Sequence, residues 1–133
     1  MCISGGWTDA DRLNWYDTSQ GSRLIPERWA NALITEDGTR GFFRSGTFDT
    51  HGYVRARAGD ALPVGFVRDL DPTTGNYWIG LNCSACHTAN LNINGQSVRI
   101  DGGAGFGDLQ SMLERLDALV GKTLADDDAF DSF

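Results

Sequence analysis

The chain has 133 residues, 41% of them hydrophobic and 22% charged, with a formal net charge of −7, which fits one folded domain over 1–133. That charge excludes the basic stripe that phosphate recognition needs, so nucleic acid is not an expected partner. No apolar run approaches the ~20 residues of a membrane-crossing helix, and Met1-Cys2-Ile3-Ser4-Gly5-Gly6 lacks the regions of a signal peptide.

In chain order, Thr8 followed by Asp9 and Asp11 predicts a capped helix running to about Ser19, with Leu13, Trp15 and Tyr16 as its bulky contacts. Pro26 predicts a second, short helix over Glu27 to Leu33, with Trp29 and Leu33 sharing a face. Glu36-Asp37-Gly38 reads as a turn. From Thr39 to Asn76 glycines punctuate an irregular stretch of the kind that wraps a cofactor.

Tyr77-Trp78-Ile79-Gly80-Leu81 leads into Cys83-Ser84-Ala85-Cys86-His87. Beyond it, Leu91 to Ile100 predicts a hairpin around Asn94-Gly95. Phe106, Leu109, Met112, Leu113, Leu116, Leu119 and Val120 form one helical stripe, with Gly121 where a C-cap glycine would sit. Asp126, Asp127, Asp128 and Asp131 read as a frayed, solvated tail.

Residues 83–87 match Cys-x-x-Cys-His, the attachment signature of a c-type haem. Each thiol adds to one vinyl group on adjacent pyrroles, giving two thioethers. Two intervening residues let one helical turn present both sulfurs to one edge of the ring. The histidine then supplies the axial imidazole, and the small Ser84 and Ala85 let the backbone lie close to the porphyrin. Three other uses of the pair compete. A closed zinc site needs four ligands, and only Cys2, His51, His87 and carboxylates are at hand. A thioredoxin-like dithiol belongs to a βαβ pattern, which is lacking here. A disulfide between residues three apart would leave His87 unexplained.

The sixth iron position separates electron transfer from chemistry at the metal. Candidates are Met112, His51 and Met1, with core packing the rival use of Met112. Phe42, Phe43, Phe48 and Trp78 are candidates to line the far side of the ring, or to pack as core. Arg99, beside Asp101-Gly102-Gly103, is a candidate partner for a haem propionate, with a surface Arg99–Asp101 pair as the alternative.

With Thr18-Ser19-Gln20-Gly21-Ser22, Leu24-Ile25-Pro26, Leu62-Pro63-Val64-Gly65-Phe66, Trp78-Ile79-Gly80-Leu81, the motif through Thr88, and Ile100-Asp101-Gly102-Gly103 in this order, the chain resembles the bacterial di-haem cytochrome c peroxidase-like family that includes the di-haem rubber oxygenase. The resemblance runs from about Trp7 to Leu119 and covers only that family's first haem segment. It implies that Cys83, Cys86 and His87 form the first haem site, working with a second haem domain or a redox partner protein. This chain lacks a second Cys-x-x-Cys-His, so complete peroxidase or dioxygenase activity is not expected of it alone.

The expectations are therefore a mainly α, cytochrome c-like haem domain with long Gly-rich loops and a small β-hairpin, carrying one covalent haem c and acting in electron transfer. The alternatives are a catalytic segment that needs a second haem domain, and a non-haem zinc-binding or structural module. Haem attachment takes place on the exported side of a membrane, so a periplasmic or secreted location is expected, with the chain as a fragment or mature segment.

Overall fold

Helices and strands are interspersed along the chain in the computed structural model, which describes residues 2–3 and 6–133. After strand β1 (Cys2–Ile3) comes helix α1 (Asp9–Asp17). Its start follows from the sequence: the Thr8 hydroxyl accepts from Asp11 N–H while the Asp11 carboxylate accepts from Thr8 N–H, a reciprocal cap. Strand β2 (Ile25–Pro26) passes directly into helix α2 (Glu27–Ala32). Leu33 is buried as its spacing predicts. Trp29 instead lies outward at 43% exposure, with its ring against Phe133.

The expected mainly α, cytochrome c-like fold is overturned. The chain is 38% helical and 21% strand, with two three-stranded sheets. The apolar approach to the cysteine motif is a strand, β4 (Tyr77–Leu81), paired antiparallel with β3 (Phe66–Leu70) on one side and β2 on the other. Short runs rich in aromatic and β-branched residues fit a pleated, half-buried surface and lack a helical period. The turn between β3 and β4 is closed by Asp71, whose N–H donates to Asn76 O at 2.9 Å and whose carbonyl accepts from Gly75 N at 2.8 Å.

Helix α3 (Cys83–Cys86) spans a single turn and is followed at once by the hairpin β5 (Thr88–Ile93) and β6 (Gln96–Asp101). Asn94 and Gly95 take φ of 52° and 81° at its tip, the left-handed pair that a two-residue hairpin turn requires. β1 adds to β6 in parallel and completes the second sheet, in the order β1-β6-β5.

Helix α4 (Leu109–Leu124) buries Met112, Leu116 and Leu119 on the predicted stripe. Asp108 caps it, its carboxylate accepting from Ser111 N–H at 3.0 Å, so Phe106 precedes the helix and is 64% exposed. Gly121 lies inside α4 rather than at its end. The acidic tail, expected to fray, forms helix α5 (Asp127–Ser132). Asp126 caps it and Asp127 and Asp128 fall in its first turn, where the helix dipole favours negative charge.

The core gathers Phe42, Phe43, Phe48, Tyr53 and Phe66 from the glycine-rich middle, with Ile79 of β4, Ala85 of α3, and Met112, Leu116 and Leu119 of α4. Neighbouring rings meet mostly edge to face, with centroids 4.8 Å apart for Tyr53 and Phe66 and 5.1 Å for Phe42 and Phe43. Phe42, Phe43 and Phe48 are thus interior packing. Gly65, at φ 78°, carries the loop against α3, where a Cβ would collide with the Ala85 backbone. Among the described residues no helix is long and apolar enough to cross a membrane.

Candidate haem-attachment site

β4 delivers the chain to Asn82, and Asn82 starts α3. Its Oδ1 accepts from Ser84 N–H at 2.9 Å and from the Ser84 hydroxyl at 2.6 Å. Its Nδ2 donates to the carbonyls of Trp15, Tyr16 and Thr18 at 3.2, 3.1 and 3.0 Å. One buried side chain therefore both caps the motif helix and ties it to the last turn of α1.

Within the turn, Ser84 and Ala85 face inward and are buried, while Cys83 and Cys86 are free and exposed. The Cys83 thiol donates to Gln20 Oε1 at 3.2 Å. His87 follows on the same exposed surface, its N–H donating to Cys83 O at 3.0 Å.

Residues 101–105 return across the motif. Gly102 N–H donates to His87 O at 2.8 Å and Gly105 N–H to Cys86 O at 2.7 Å. The Nδ1 atom of His87 lies 3.2 Å from Gly103 O. A carbonyl oxygen only accepts, so this contact is a hydrogen bond when Nδ1 carries the proton, the tautomer in which Nε2 is the metal-binding nitrogen. The returning segment is anchored by Asp101, whose carboxylate is 2% exposed. It accepts from the Tyr16 hydroxyl at 2.6 Å and from Arg12 Nε at 2.9 Å. Burial, and then the hydrogen bond to Asp101, push the Tyr16 phenol well above its ordinary range.

These residues fit a c-type haem. Two exposed thiols stand one helical turn apart beside an exposed imidazole. Among the described residues no three His, Cys, Asp or Glu side chains converge as a closed zinc site would require. Buried polar atoms without a partner lie close by. They include Thr88 Oγ1, adjacent to His87, and the Tyr53 hydroxyl, whose surroundings include the Cys86 thiol. Burial first, then Cys86 and Asp108, push the Tyr53 phenol up to about 12.

The candidate sixth ligands are not brought to this surface. Met112 is 0% exposed within the core cluster, and His51 is buried beside Phe48 with its carbonyl accepting from Asp108 N–H. Met1 lies outside the described residues, and of Cys2 only the backbone is described. Trp78 pairs through its backbone with Pro26 and Asp69 in the sheet.

Arg99 does not pair with Asp101. Its Nε donates to Asn90 Oδ1 at 3.0 Å and its Nη2 to Arg55 O at 2.6 Å, while Arg12 and Tyr16 take Asp101. The brace formed by Asn82, Tyr16, Arg12 and Asp101 is not evident from the sequence. Only Asn82, a capping residue placed directly before the first cysteine, left a local signal there. No family model, curated protein or solved structure matches the chain.

Proposed function

We propose that the chain binds one haem c through thioethers from Cys83 and Cys86, with His87 as the axial ligand, and that it serves in one-electron transfer. The single observation that carries this reading is His87 oriented by Gly103 O, with both thiols exposed on the same turn. When bound, the haem supplies reversible one-electron chemistry at iron. The chain's part is to tether the ring edge with two sulfurs, to fix the imidazole through Nδ1, and to set its basicity through the Gly103 carbonyl.

The ordered motifs in common with the di-haem peroxidase-like family support a role as its first haem segment. In that role the chain exchanges electrons with a redox partner protein or a second haem domain, on the exported side of a membrane. The burial of both Met112 and His51 favours a second reading, in which the far side of the iron takes a small ligand. The segment would then be the reactive half of a peroxidase or dioxygenase that needs the second haem domain.

Expression with haem-attachment machinery tests the first reading. The expected product carries the mass of one haem, keeps its colour through acidic acetone, and gives a c-type pyridine haemochrome. Cys83→Ala and Cys86→Ala each leave a single thioether. Colourless protein at the apoprotein mass would defeat the proposal. Carbon monoxide separates the two readings: a spectral shift on adding it to the reduced protein supports the small-ligand role, and no shift supports electron transfer alone.

A further inference from the structure

A second concavity, away from the cysteines, has its own chemistry. It lies between α1, the loop around residues 56–57 and the β5–β6 hairpin, and has a volume of about 460 Å³. Its walls bring together Arg12, Arg57 and Arg99, three of the ten arginines of a chain whose net charge is −7, with Asp9 in the lining and Asp101 buried against Arg12. Leu13 and the Tyr16 ring supply an apolar floor.

Two of the guanidiniums are held in place. Arg12 is fixed by Asp9 Oδ1 at 2.7 Å and Asp101 Oδ2 at 2.9 Å, and its side chain is only 15% exposed. Arg99 is fixed by Asn90 and the Arg55 carbonyl, with its guanidinium carbon 6.0 Å from the Tyr16 ring centroid. Arg57 differs. Its backbone N–H is anchored by Asp60 Oδ2 at 2.8 Å, while its side chain is exposed at the rim.

We propose that this concavity is a binding site for a small organic oxyanion, a carboxylate or phosphate ester. Arg12 and Arg99 form its pre-set wall, and Arg57 closes over the anionic head. Guanidinium groups already held in place lose little side-chain freedom when an oxyanion binds beside them. The exposed Arg57 supplies the remaining charge. The apolar floor suits the carbon skeleton of such a ligand better than a bare inorganic ion. Binding here is read on the chain without haem, so its failure is distinguishable from failure of the function proposed above.

The test is a titration of the full chain with succinate and with inorganic phosphate, each against sodium chloride at matched ionic strength. The readout is the arginine Nε–H signals in nitrogen-15 NMR. Saturable shifts confined to Arg12, Arg57 and Arg99 are expected, with succinate binding more tightly than phosphate. Arg57→Gln, an exposed change that leaves the fold intact, is expected to weaken both by about tenfold. Shifts no different from those in sodium chloride would overturn the proposal. So would an Arg57→Gln variant that binds as tightly as the parent chain.

Discussion

The carboxylate of Asp101 accepts from the Tyr16 hydroxyl at 2.6 Å, and through this contact α1 holds the segment whose Gly103 carbonyl meets His87. The Arg12 guanidinium completes the anchor at 2.9 Å. Because the carboxylate is 2% exposed, its removal leaves a phenol and a guanidinium nitrogen facing the interior without their acceptor.

Asp101→Ala is therefore expected to cost about 1–3 kcal/mol of unfolding free energy, the usual penalty for orphaning buried donors. Urea unfolding measures it, with the slope unchanged and the midpoint lowered. A midpoint equal to that of the parent would contradict the anchoring role. In holoprotein the same change should also alter the haem reduction potential, because His87 loses its fixed acceptor.

Asn82 joins two functions that substitutions can separate. Asn82→Ser keeps a side-chain oxygen able to cap α3 but loses the Nδ2 donors to Trp15, Tyr16 and Thr18, whereas Asn82→Ala loses both. The expected order of stability is parent, then Ser, then Ala, with the capping part alone contributing about 0.5–2 kcal/mol. Thermal unfolding of the three proteins gives the order directly, and equal stability for Ser and Ala would show that the cap contributes nothing.

His51 gives the fold an acid-sensitive element. Burial first, then the Arg115 cation, lower its pKa below the ordinary 6.5, outweighing the opposing pull of Asp108 and Glu36. The folded state thus favours the neutral ring. Its contribution to stability is complete above pH 6.5 and is lost as pH falls from there toward the lowered folded value, because the unfolded chain takes up the proton first. Replacing His51 with Gln should flatten the pH dependence of unfolding free energy between neutral pH and pH 5. An unchanged slope in that window would rule out His51 as its source.

Gly65 is a steric requirement of the site. Its φ of 78° disfavours any side chain, and a Cβ would enter the backbone of Ala85 on the inner face of α3. Gly65→Ala should destabilise by about 1–3 kcal/mol, as overpacking does. It should also reduce the fraction of chains that acquire haem, read as the Soret-to-protein absorbance ratio. Gly75→Ala makes a useful comparison. It shares a positive φ but has open space around it, so it should lose stability without losing haem.

The cysteine motif, the capping of α1 and the Asn94-Gly95 hairpin were legible in the sequence because each rests on contacts between residues two to four apart. The apolar stripe of α4 was legible for the same reason, its period being set by helix geometry. Chain reversal into sheets was not. β4 reads as an apolar run, and only its pairing with β2 and β3 makes it a central strand. The placement of Trp29 outside the core likewise depends on which elements close over its helix.

The amino-acid order by itself placed two thiols and an imidazole at a spacing that one helical turn satisfies. Tertiary structure alone decided how that imidazole is held. The partners of Asp101 lie 85 and 89 residues earlier in the chain. Contacts at such separation leave no local pattern, because they form only when the whole chain closes and its loop entropy has been overcome.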